Sequence, residues 1–118
     1  MAYGPHTKEL LKRMNLIVND TLDVSFLNIR KLPPLPVTLK NLNCSYSNLE
    51  TLDNLPVNLE NLNCAHTKFK ILPLLPMTLK TLDTTNCKKL VLQRENDETI
   101  EIYSRRLETW YSENKPPY

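Results

Sequence analysis

One pattern recurs three times in register, 20 residues apart, and it constrains this chain more than any other feature. Leu35-Pro36-x-x-Leu39-x-x-Leu42-x-Cys44 returns as Leu55-Pro56-x-x-Leu59-x-x-Leu62-x-Cys64, and again as Leu75-Pro76-x-x-Leu79-x-x-Leu82-x-Thr84. A fixed period with leucines in phase marks a stack of units, each too small to bury its own apolar face. The fold class this predicts is a repeat solenoid in one domain spanning 1–118.

Residues 39–58 show what one unit does. Leu42 and Cys44 alternate with Asn41, Asn43 and Ser45, the period-2 signature of a strand with one buried face. Leu49, Leu52 and Leu55 follow at spacings of three, but the recurring prolines oppose a regular helix. The pattern predicts parallel β-strands on one side and extended, polyproline-like return segments on the other. Nine prolines against a single glycine fit turns built from extended proline segments. Twenty residues before Leu42, Cys44, Leu49 and Leu52 stand Leu22, Val24, Ile29 and Leu32, all apolar, so Leu22-Asp23-Val24 is a degenerate first strand. Twenty residues after Leu82 comes Ile102, in Thr99-Ile-Glu-Ile-Tyr103, which alternates and is read as a fifth strand, with part of a helix as the alternative.

The consensus L-x-x-L-x-(C/T)-x-x-x-x-(L/F)-x-x-L-x-x-L-P resembles the leucine-rich repeat, in its short 20-residue class. That class is typified by YopM-like and IpaH-like bacterial effectors, with similar repeats in giant-virus proteins. The match covers residues 22–92. It implies a protein-binding module, and it is nearly silent on which protein is bound. The family usually places Asn three residues after the inward Val or Cys, to bond the neighbouring turn. Here Leu27, Ser47, Thr67 and Cys87 stand there, so a thinner ladder is expected, with Leu27 unable to donate.

A stack of units needs covered ends. Residues 1–18 are read as an N-terminal helical cap. Its helix covers 5–15, with Thr7 as N-cap and Leu10, Leu11 and Met14 on the apolar face. The repeats occupy 19–92. Residues 93–118 form the C-terminal strand, helix and tail, the helix at 104–114 carrying Leu107, Trp110 and Tyr111 on one stripe. Trp110 is either a partner anchor or a seal on the last unit. The final 115–118 is expected to fray, and its Pro-Pro-Tyr lacks the spacing of a PPxY ligand.

Net charge is +2, divided as about +2, +2 and −2 over 1–31, 32–92 and 93–118, and so weak a field argues against nucleic acid as a partner. No segment is apolar enough to span a membrane, and none reads as a secretory signal. With an odd number of cysteines, three, this predicts an intracellular, soluble protein with reduced thiols. Cys44 and Cys64 share a column about 4.8 Å apart. They could form a redox pair or half a metal site, but both should face a dry core, where Cys acts as a small hydrophobe. His6 and His66 lack zinc spacing to them. Cys87, on a turn, is the candidate reactive thiol of the three, although Cys is also accepted at that ladder position and a structural role is the leading reading. No phosphate loop, catalytic carboxylate pair or nucleophile elbow is present, so no catalysis, cofactor or metal is expected.

Three outward columns are predicted: Thr21, Asn41, Asn61 and Thr81; Asp23, Asn43, Asn63 and Asp83; and Ser25, Ser45, Ala65 and Thr85. Such small side chains lack the Trp, Tyr and Arg that anchor tight interfaces. The larger ones, Phe26, Tyr46 and His66, share the column at the sheet's edge with Asn86. They are read either as a partner-binding strip or as rings packed over the turn. Asn41, Asn43, Asn61, Asn63 and Asp83 would then be adaptable contacts. The expected function is a small adaptor- or effector-like binder of another protein. The alternative is a structural part of a virion or other assembly, self-associating through the ends of the stack.

Overall fold

The structure, a computed structural model, describes residues 3–53 and 55–114. It is a four-stranded, all-parallel open sheet with a helix at each end. Helix α1 (Thr7–Asn15) precedes strands β1 (Thr21–Asp23), β2 (Asn41–Asn43), β3 (Asn61–Asn63) and β4 (Thr81–Asp83), and helix α2 (Ile100–Glu113) closes the order. The strands lie in sequence order, β1-β2-β3-β4. Each pairs with the next at an offset of 20, so Leu22, Leu42, Leu62 and Leu82 face one another across the sheet. All four of these leucines are buried, while their strand neighbours are exposed or half-buried.

The interunit bonding continues past the three-residue strands. Val24, Cys44 and Cys64 N–H donate to the carbonyls of Asn43, Asn63 and Asp83. Two residues on, Phe26, Tyr46 and His66 N–H donate to Ser45, Ala65 and Thr85. The chain then returns without regular structure, placing Leu49, Leu52, Leu59, Phe69 and Leu72 in one core with the strand leucines. At the end of each return a turn closes where Leu39, Leu59 and Leu79 N–H reach Pro36, Pro56 and Pro76. Proline has no N–H to lose at these positions, which suits it to the turn.

Both ends of the sheet are chemically closed. At β1, Arg13 Nη1 donates to the carbonyls of Asp23 and Ser25, each at 3.2 Å, and Thr21 N–H is taken by Val18. At β4, Arg94 Nη1 donates to Leu82 at 2.6 Å. Both arginines reach the edge strands from neighbouring segments, and covering an edge in this way blocks edge-to-edge pairing.

Several expectations change. Thr99-Ile-Glu-Ile-Tyr103 is the start of α2 and not a fifth strand, and the helix expected over 104–114 begins at Ile100. Thr99 is its N-cap, the hydroxyl oxygen accepting from Ile102 N–H at 3.2 Å. Thr7 is not a cap but lies inside α1, where its hydroxyl donates to Gly4 at 2.6 Å. Leu10 is buried, whereas Leu11 points outward, 44% exposed. Gly4 holds φ +120°, and a Cβ there would meet the Ile29 backbone at 3.0 Å, so only glycine allows this close docking onto the first unit. The tail expected at 115–118 lies outside the described residues.

Candidate functional site

The edge column is the least ordinary part of the backbone. Phe26, Tyr46, His66 and Asn86 all adopt left-handed conformations, with φ of 62°, 56°, 57° and 57°. Asn visits this region readily, while a bulky side chain is an outlier there. The turn itself sets the conformation: the amides of Phe26, Tyr46 and His66 donate to the next unit's carbonyls, and Asn86, beyond the last strand, holds the same φ. Asn86 shows that an ordinary turn residue suffices.

The three rings form one column. Phe26 and Tyr46 stack with centroids 4.7 Å apart and planes within 5°. Tyr46 and His66 follow at 4.2 Å and 10°, and the Asn86 side-chain amide lies 3.4 Å from the His66 ring nitrogens. Phe26 remains 69% and Tyr46 50% exposed. The rings do not seal the core.

Beside the rings, the polar columns are engaged with their own backbone. The side-chain oxygens of Asp23, Asn43, Asn63 and Asp83 accept from the amides of Ser25, Ser45, Ala65 and Thr85 at 2.9 to 3.1 Å. The Ser25, Ser45 and Thr85 hydroxyls add a second bond to the same oxygens. These are Asx-turns, which steer the chain into the left-handed residue that follows. Hydrogen bonds from the Thr85 hydroxyl, and then from its amide, hold the Asp83 pKa below the usual carboxylate range.

The other column is a ladder. Asn41 Nδ2 donates to Thr21, Asn61 Nδ2 to Asn41 Oδ1, and Thr81 to Asn61 Oδ1, at 2.6 to 3.1 Å. Asn43, Asn63 and Asp83 therefore serve the fold first, with their outer atoms left for contact. The third column does not face outward throughout, since Ser45 and Ala65 are buried.

The thiols lie in the core. Cys44, Cys64 and Cys87 are unpaired and at most 1% exposed. Burial pushes the Cys44 pKa up to about 12. The side-chain hydrogen bond between Cys64 and Cys87, with burial, raises Cys64 well above the thiol range. The same bond, aided by Thr67, draws Cys87 down to about 6 against the opposing effect of burial. However, the Cys87 thiol donates to the Cys64 carbonyl at 2.9 Å, a contact that favours the protonated form, and no face of it meets solvent. Its burial fits the structural reading of Cys87 at the ladder position, because a nucleophile must also be reachable. At the ladder position, Ser47 and Thr67 bond their own turns, at Cys44 and Cys64. Leu27 makes the apolar substitute and is buried.

Trp110 is half-buried and meets Tyr111 edge to face at 5.0 Å. The seal over the last unit is made instead by Tyr103 and Leu107, both fully buried. The Tyr103 hydroxyl donates to Leu92 at 2.7 Å, and the Tyr111 hydroxyl to Leu72 at 2.7 Å. The alternating pattern hid Tyr103, whose spacing of four from Leu107 was the available signal. Among the described residues, no three His, Cys, Asp or Glu side chains gather to hold a metal ion, and no helix is long and apolar enough to cross a membrane. No family model matches this chain, and no curated protein matches it either.

Proposed function

We propose that this chain is a leucine-rich-repeat solenoid that binds another protein without catalysing a reaction, using the Phe26-Tyr46-His66 column and the adjoining Asn/Asp face. The observation that carries this reading is a stack of two exposed rings and the half-buried His66, held in a left-handed backbone that Asn86 adopts with an ordinary turn residue. Left-handed backbone costs a bulky residue about 1–2 kcal/mol. Two stacked pairs return about 0.5–1.5 kcal/mol each. Phe26 and Tyr46 therefore cost about 2–4 kcal/mol against about 1–3 kcal/mol returned by the two stacks, so the column adds little to stability and its retention is explained by contact with a partner. Aromatic side chains are also the usual anchors of protein interfaces.

End-to-end assembly finds less support. Arg13 and Arg94 occupy carbonyls on the outer strands, where another copy would have to pair.

The test is affinity capture from the native host with wild type and with Phe26→Asn/Tyr46→Asn/His66→Asn. Capture of a partner by wild type and its loss in the folded variant is the expected result. Equal capture by both would overturn the assignment of the ring column.

A further inference from the structure

Two residues beyond the ring column lies a column that changes chemistry along the stack: Asn28, Asn48, Lys68, Lys88. Two residues of extended chain span at most about 7 Å, so Lys68 follows directly on His66. Lys68, Lys70 and Lys89 line one depression of about 310 Å³ with Glu50 and Thr51. The flank formed by 28–31, 48–51, 68–71 and 88–91 holds six of the chain's fifteen Lys and Arg residues, with Glu50 as its single acid. All six, Arg30, Lys31, Lys68, Lys70, Lys88 and Lys89, are exposed. Among the described residues none of them forms an ion pair; the four ion pairs use other cations. The flank thus carries more positive charge than the whole molecule's net +2, and that charge is unspent within the fold.

At the opposite end of the ring column Phe26 stacks on Tyr46 alone, with apolar Leu16 and Val18 on one side and Arg13, Thr21, Asp23 and Ser25 on the other. Exposed Leu16 and Val18, each 64% accessible, share with Phe26 an open notch of about 460 Å³. From this notch to Lys68 and Lys88 is two to three units, about 10–15 Å at the spacing of neighbouring strands.

We infer that the surface takes an acidic segment of a partner protein, with an apolar or aromatic anchor seated beside Phe26 and carboxylates over Lys68, Lys70, Lys88 and Lys89. The inference rests on the proposed binding function and specifies its partner. Complementary charge supplies steering and register, while the anchor supplies buried area. Single-stranded nucleic acid would also meet cations near rings, but the column offers it no run of open ring faces, only the outer face of Phe26. Tyr46 is covered on one side by Phe26 and on the other by His66, whereas bases bind such platforms by stacking on open faces.

Fluorescence anisotropy tests this with a labelled peptide of Trp, three Ser and four Glu. Parallel probes carry Lys for Glu or Ser for Trp, and oligouridylate and phosphatidylserine vesicles complete the set. The expected result is salt-sensitive binding of the Trp/Glu peptide alone, weakened about tenfold in Lys68→Glu/Lys70→Glu/Lys88→Glu/Lys89→Glu. The circular dichroism of that variant should be unchanged. Equal affinity of the variant, no binding of the Trp/Glu peptide at low salt, or tighter binding of oligouridylate or vesicles would each overturn the inference. The two readings fail separately: host capture abolished by the ring-to-Asn changes but untouched by the Lys-to-Glu changes leaves the binding function standing and removes the acidic partner.

Discussion

Asn43, Asn63 and Asp83 do the same job with different chemistry, and that difference is testable. Each accepts an amide hydrogen from the residue two further on. Asp83 alone of the three is ionisable, and its Thr85 hydrogen bonds lower its pKa in the fold. A carboxyl with a lowered folded pKa contributes stability that is present above its unfolded value, about 3.9, and is lost as pH falls through the folded value. Asp83→Asn keeps the accepting oxygen and removes the titration. Denaturant melts at neutral pH and below pH about 3 should show near-equal stability at neutral pH and a smaller acid loss in the variant. An identical acid loss in both proteins would show that Asp83 does not contribute. Phe26 and Tyr46 are the opposite case, since nothing in Phe or Tyr favours a positive φ, whereas His66, like Asn86, is of a type that visits it. The period put Phe26, Tyr46 and His66 in one column, but the backbone sign and the ring stacking required three-dimensional coordinates.

Helix α2 shows where reading by pattern stops at the level of an element. The five residues at 99–103 fit a strand as well as a helix start. The deciding information lies further along, in Tyr103, Leu107 and Tyr111 at helical spacing and in Thr99 at the cap. The edge of β4 has no vacancy for a fifth strand at Leu82, because Arg94 holds its carbonyl. Leu107→Ala should therefore cost about 2–5 kcal/mol, as large-to-small changes do in packed cores. Trp110→Ala, at a half-buried site, should cost less than about half of that. Chemical denaturation of the two variants checks this, and a larger loss at Trp110 would mean that the last unit is sealed by Trp110 after all. The four strands were legible because an offset of 20 brings like residues together in every unit, so errors cannot accumulate along the chain. The helical ends were less so, because each occurs once and has no second copy to confirm its phase.

Over the whole molecule, roles are divided by surface. The sheet interior and the return segments share one core of leucines, three cysteines and Phe69. The strand edges are occupied by arginines, and the Asn/Thr ladder ties unit to unit. Exposed rings and unpaired lysines occupy the remaining flank, where they add little to folding. The central claim is that the ring column is kept for a partner and not for the fold. Equilibrium denaturation of Phe26→Asn/Tyr46→Asn/His66→Asn against wild type tests it most directly. The account predicts a variant as stable as wild type or more so, by up to about 3 kcal/mol, and a loss of more than about 1 kcal/mol would contradict it.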